Sequence, residues 1–343
     1  MHAHPLVQLS RVKFLEFVRE PEAIFWVLVF PVLLSLALGI AFRAKTPAPL
    51  AVAVCDGPGA AEASRALAAD PGLHPKVLAE RDARESLRTG KVALVVIPGD
   101  TLTYWFDPAR DESRGARLAA DAALQRAAGR TDARGIALRE MNEKGSRYID
   151  FLVPGLLGMN LMGTGMWGIG FSIVTARSRG LLKRLVATPM RKRDYLLGQM
   201  MGRMVFLIPE VGVLVGFAHV AFGVPVAGSL VALALIAGLG ATAFTGIGLL
   251  VAARPRTIEG VSGLMNFVML PMWIFSGVFF SPSRFPDAIL PLIRLLPLTA
   301  LNEALRAVMI DGAPVASVAG QLGILGLWGA VAFAVALRLF RWQ

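Results

Sequence analysis

The sequence predicts a polytopic α-helical membrane protein with six transmembrane helices, an N-terminal interfacial amphipathic helix and a small α/β extracytoplasmic domain between spans one and two. Three observations carry this reading. Of 343 residues, 55% are hydrophobic and only 17% are charged, where a soluble domain carries about 25%. Several apolar runs reach the roughly 20 residues that a helix needs to cross hydrocarbon. Between the first two runs the composition reverses, and residues 43–150 hold 17 Lys or Arg and 15 Asp or Glu.

Residues 1–23 are read as a cytoplasmic interfacial helix. Within 5–20, Leu6, Leu9, Val12, Phe14, Leu15, Phe17 and Val18 fall largely on one helical face and the charges on the other. That pattern suits a helix lying in the membrane surface, or simply the lead into the first span. Pro21 breaks it. Span one is 24–42, with a kink expected at Pro31. It starts too late and runs too long for a signal-peptide core of roughly 7–15 residues, so it is expected to stay uncleaved.

The charged insert, 43–150, alternates strand-like and helical patterns. Strands are expected at 50–56, 74–79, 92–100 and 102–107, and helices at 59–70, 82–89 and 113–128, an α/β arrangement. Residues 151–343 hold spans two to six, at 151–174, 204–223, 229–253, 261–281 and 318–340. The run at 288–298 is cut by Pro286, Pro291 and Pro297. It is too short to cross, so the outer segment 282–317 reads as re-entrant or interfacial. "LTALNEALRAVM" (298–309) reads as an amphipathic helix on the outer surface.

Six spans put both termini on one side. With the N-terminus cytoplasmic, the lead, the loops 175–203 and 254–260 and the tail carry 15 Lys or Arg, against 3 in the outer loops. The long insert is left out of this count, because long domains translocate regardless of charge. The asymmetry puts both termini in the cytoplasm and the insert outside. It also accounts for much of the net charge of +11 without a nucleic-acid partner. One cysteine, Cys55, and four scattered histidines offer no intrachain disulfide and no metal site.

Topology explains the basicity of "RGLLKRLVATPMRKRDYLLGQ" (179–199) but not its order. Leu181, Leu182, Leu185 and Val186 recur on one face of a helix of about two turns, with Lys183 and Arg184 between them. Thr188-Pro189 disfavours its continuation, and Asp194 suits the start of the next helix. Helix, stop and restart suit a rigid knob pressed against a partner protein.

The segment resembles the signature loop of ABC-2 type permeases, matching it at Gly180, Leu182, Arg184, Leu185, Thr188, Pro189, Leu196, Leu197, Gly198 and Gln199. The acidic residue common before the Leu is absent. Whole-chain organisation is similar to the drug-resistance or multidrug-type subgroup of that family, which bears a large outer insert. The resemblance implies an ABCG-like (type V) exporter fold in the bacterial inner membrane. Its coupling helix, with Leu181, Leu182, Arg184, Leu185, Thr188, Pro189 and Arg191, would contact an ABC ATPase subunit. Two ATPases and two permeases, identical or paralogous, would form the unit, with the second and fifth spans flanking the path. A periplasmic adaptor is a further possible partner, and membrane lipids surround the spans.

No ATPase motif is found in the chain. Its single Gly-Lys pair, Gly90-Lys91, lacks the rest of a phosphate-cradling loop, and no hydrolase or metalloprotease motif occurs. The chain is therefore not read as an enzyme, and ATP and Mg would sit in the partner. Candidate path residues are Asn160, Met166, Glu210, Asn266 and Met269. A carboxylate in a span is usually functional or paired, and Glu210 falls under either reading. The asparagines serve a path or interhelical bonding. The methionines of spans two and five suit a lipophilic cargo (drug, lipid or glycolipid) as well as ordinary packing. The alternative to efflux is a membrane-anchored sensor or assembly factor whose outer domain binds a ligand.

Overall fold

The structure is a computed structural model, and it describes residues 19–42, 48–131, 134, 145–186 and 192–341. The interfacial helix expected over 5–20 lies almost wholly outside the described residues. The chain divides into two compact units, residues 1–43 with 141–343, and residues 44–140.

The first unit opens with helix α1, Pro21–Ala41. Pro21 stands in its first turn, where a missing N–H costs nothing. A π-helical segment, Phe25–Val29, interrupts it just before Pro31. A proline cannot bond to the carbonyl four residues earlier, here Val27, so the turn is free to widen.

The second unit is a four-stranded sheet. In chain order its elements are β1 (Leu50–Cys55), α2 (Ala60–Ala68), β2 (Leu73–Leu78), α3 (Glu80–Arg88), β3 (Leu94–Ile97), β4 (Thr103–Trp105) and α4 (Asp111–Ala127). The strand order is β2-β1-β3-β4, with β1 parallel to β2 and β3, and β4 antiparallel to β3. Central β1 is buried on both faces. Val52 and Val54 pack with Ala63 and Leu67 of α2 and Ala116 and Ala120 of α4. Ala53 and Cys55 pack on the other face with Ala83 of α3. Edge strand β2 carries Pro75 and Lys76, residues that discourage further pairing.

The first unit resumes with α5 (Tyr148–Gly163), a second π-helical segment (Thr164–Gly168) and α6 (Ile169–Ser178). Next come α7 (Leu181–Val186), α8 (Lys192–Phe222), α9 (Leu230–Val251) and α10 (Ile258–Phe275). Short α11 (Leu290–Leu295) precedes α12 (Pro297–Met309) and α13 (Ala319–Leu339). Among the described residues, five helices are long and apolar enough to cross a membrane: Pro21–Ala41, Arg193–Phe222, Leu230–Val251, Ile258–Phe275 and Val315–Leu339. The expected second span, 151–174, falls on α5, the π segment and α6.

Helix α9 is the centre of this unit. Its apolar stretch is 61% buried, against 17 or 22% for the other four candidate spans, whose faces stay apolar and open. Helix α12 departs from the expectation of a surface helix. Most of it is buried, including Leu298, Leu301, Leu305, Thr299 and Asn302. The amphipathic pattern is real, but Asn302 and Arg306 turn onto backbone carbonyls instead of water. Two glycines admit α12 this closely. A Cβ at Gly158 would stand 2.0 Å from Asn302 Oδ1, and one at Gly240 would stand 2.7 Å from Leu301 Cδ1.

Candidate functional site

The loop between α6 and α8 carries the strongest sequence signal. Helix α6 ends at Gly180, whose φ of +69° is left-handed and favours a residue without Cβ. The chain turns there into α7. Leu182 is fully buried in the apolar core of the helical unit, while Leu181 stays 48% exposed and Lys183 and Arg184 face outward. Thus α7 is anchored through one leucine and presents one leucine and two cations. Leu185 lies on the same helix, but its side chain is outside the described residues, as are Thr188, Pro189 and Arg191.

One turn before α7, Arg177 is buried. Its Nη1 donates to the carbonyls of Ala252 (3.0 Å) and Pro255, and its Nη2 donates to those of Ala253 (3.1 Å) and Arg341 (3.0 Å). The Phe340 ring lies 5.6 Å from the guanidinium carbon and 6.0 Å from the Tyr195 ring of α8. Helices leave their last carbonyls unpaired and carry partial negative charge there. Arg177 answers both for the ends of α9 and α13.

A second polar group lies within the apolar layer. Arg203 and Glu210 of α8 form an ion pair at 2.5 Å, with the Glu210 side chain fully buried and Arg203 nearly so. The Thr164 hydroxyl, in the second π segment, lies 2.9 Å from Glu210 Oε1 and 2.8 Å from the Asn160 carbonyl, and its one proton serves either acceptor. Arg203 also donates to Thr164. Asn160 Nδ2 donates to the Val27 carbonyl at 3.2 Å. That is the carbonyl left without its helical donor by Pro31, so α5 supplies what α1 lacks. The group ties α1, α5 and α8 together. The two charges pair with each other, which a buried charge requires, while Arg203 Nε is left without a partner among the described residues.

The five candidate path residues separate. Asn160 and Glu210 belong to this polar group. Met166 and Met269 lie in the apolar core, with 0% and 1% exposure. Asn266 is exposed on α10, beside the open faces of Leu264, Phe267 and Leu270. The sequence reading missed Arg203 and Arg177, which it counted as loop charges. For Arg203 a signal existed, because a separation of seven residues from Glu210 puts both on one face of a helix. For Arg177 none existed, since its partners are carbonyls.

The opposite end of the helical unit has arginines of the same kind. Arg147 pairs with buried Asp150 at 2.8 Å and donates to the Phe222 carbonyl at 2.9 Å, at the end of α8. Arg306 of α12 donates to the carbonyls of Phe151 (3.2 Å) and Gly277, past the end of α10, and stacks 3.7 Å over the Phe151 ring.

This order of helices, with a basic loop helix after the second, is that of a known group of proteins. The model of the ABC-2 family transporter protein family matches residues 21–338. The chain belongs to this family. It is accordingly an integral membrane protein, its apolar helices being the part that lipid surrounds. Among curated relatives of this ABC-2 family chain is ABC transporter G family member 20 of Dictyostelium discoideum, 27% identical over 49% of the chain and 23% of that protein. The linearmycin resistance permease protein LnrN of Bacillus subtilis is 26% identical over 51% of the chain and 46% of that protein. The inner membrane transport permease YadH of Escherichia coli K12 is 27% identical over 58% of the chain and 75% of that protein. The chain thus spans no more than about half the length of the first two.

Proposed function

We propose that the chain is the membrane subunit of an ABC exporter, moving a lipophilic cargo (drug, lipid or glycolipid) outward from the cytoplasm or inner leaflet. A separate ATPase subunit, holding ATP and Mg, drives it. The observation that carries this reading is α7: one leucine buried in the helical unit, with Leu181, Lys183 and Arg184 left facing outward beside it. That is the form of a lever with a partner's surface on its free side. The relatives named as transporters and permeases support it.

In this reading α5, the π segment and α6 together make the second of six spans. Both termini and α7 are cytoplasmic, by the excess of Lys and Arg on that side, and the α/β unit is outside. A second permease, identical or paralogous, completes the path, and cargo meets the open apolar faces of the spans. LnrN is named for resistance to linearmycin, and for this chain a lipophilic cargo fits the methionines of α5 and α10.

The test is co-purification. Leu181→Asp and Arg184→Glu, each on an exposed position, are expected to lower recovery of the ATPase subunit about tenfold or more, the equivalent of roughly 1.4 kcal/mol, with the permease itself still folded. Full recovery of the ATPase and full export with both changes would sink the reading. Loss of activity from changes in 50–107 alone would favour a ligand-sensing role instead.

A further inference from the structure

We infer that Arg177 is the positioning residue that makes α10 and the segment after α13 follow α7, an inference that rests on the exporter reading above. The argument starts from what a guanidinium can do. It offers five N–H donors in one rigid plane. Arg177 places its two terminal nitrogens on four carbonyls from two separate stretches of chain. Two close α9 (Ala252 and Ala253), one lies in the short turn leading to α10 (Pro255), and one follows α13 (Arg341). Among the described residues no carboxylate pairs with it at salt-bridge distance.

That absence has a mechanical meaning. A single ion pair tolerates sliding, because Coulomb attraction changes slowly with angle. Four directed hydrogen bonds into one plane do not, because each weakens steeply as its angle opens. Displacing α6 against the turn 252–257 would therefore strain several bonds at once. The cheaper motion carries that turn along.

The turn leads directly into α10, whose first residues are fixed by Thr257, its Oγ1 accepting from the Gly260 N–H at 3.1 Å. On the other side, Arg177 stands four residues before Leu181, with only the Gly180 turn between. A push on α7 thus has a hydrogen-bonded route to the start of α10 through one side chain, beside the apolar packing of α6 on α10 at Gly170 and Met265. Lysine could not replace Arg177, since one ammonium offers three donors from a single point and lacks the planar fork that serves four carbonyls.

Nucleotide-driven motion can be read at both ends of this link in the permease reconstituted with its co-purifying ATPase. An environment-sensitive fluorophore goes on Arg179→Cys, at the turn into α7, or on Ile258→Cys, both exposed positions, in a Cys55→Ala background. ATP with vanadate is expected to change both signals in the otherwise unaltered chain. In Arg177→Gln the signal at 179 should persist, while that at 258 falls roughly threefold or more. ATP turnover continues in that variant. An undiminished signal at 258 overturns the inference and leaves the exporter reading standing. Silence at both positions in the unaltered chain overturns the exporter reading and the inference with it. Should Arg177→Gln fail to fold, two glycines inserted after Ser178 leave the four bonds intact but slacken the link to α7. The same selective loss at 258 is then expected, and its absence overturns the inference.

Discussion

Pro31 withdraws one N–H from α1, and Asn160 of α5 replaces it at the Val27 carbonyl, 3.2 Å away. The two residues should therefore be coupled. Asn160→Leu is expected to lower stability in micelles by about 0.5–1.7 kcal/mol, the range of interhelical bonds in membranes. With Pro31→Ala, the backbone N–H of residue 31 can serve Val27 itself, and the loss from Asn160→Leu should shrink toward zero. Equal losses in both backgrounds would refute the pairing. Glu210→Leu alone leaves Arg203 a buried cation without its acid, at a cost of about 3–5 kcal/mol, whereas Arg203→Leu with Glu210→Leu is expected to be far milder. Thermal unfolding of the purified chain separates these outcomes. At this scale the sequence showed that Asn160 and Glu210 were unusual, because a polar residue in an apolar run stands out. It did not show their partners, because Val27 contributes a carbonyl, which every residue has.

Helix α12 shows the same limit one level up. Its hydrophobic periodicity marks a helix with a wet and a dry face, and the sequence reading turned the wet face outward. In the structure Asn302 donates to the Ser276 carbonyl at 2.9 Å, and Arg306 serves Phe151 and Gly277. Periodicity tells which residues share a face, not whether water or backbone meets it. Gly158→Ala is expected to cost about 1–3 kcal/mol, as overpacking does, since the new Cβ lands on Asn302 Oδ1. Asn302→Ala in the same chain should make the added methyl cheaper, and strict additivity of the two losses would refute the contact. The α/β unit was more legible. Its strands carry apolar residues bounded by turns, and β1 and β2 fall within a residue or so of their expected positions. In that unit the Tyr104 hydroxyl donates to Asp121 at 3.1 Å. Burial, with Asp121 as bond partner and neighbouring charge, pushes its pKa up to about 12. The folded form thus favours the neutral phenol. The stabilisation is full below the unfolded value near 10 and is lost as pH rises through about 12. Absorbance at alkaline pH should show a late tyrosine ionisation whose amplitude falls by one tyrosine in Tyr104→Phe.

For the molecule as a whole, the charge asymmetry survives the structure in altered form. Arg177 and Arg203 are buried, and Arg306 is spent on carbonyls. Setting these aside leaves thirteen basic residues against two, so the inference of topology does not depend on them. It predicts that a maleimide which cannot cross the membrane labels Thr101→Cys, an exposed position of the α/β unit, from outside intact cells, but labels Arg184→Cys only after permeabilisation. Labelling of residue 184 in intact cells would invert the proposed orientation. Arg306 stands at one end of the helical unit, on the carbonyls of Phe151 and Gly277, and Arg177 at the other, on those of Ala252, Ala253, Pro255 and Arg341. Arginine keeps its proton across every pH a cell meets, and a carbonyl has none to lose. A membrane protein bathed by two solutions of unlike acidity thereby has at each rim a joint that neither bath can titrate. Its long rods remain free to lean while their tips stay gathered.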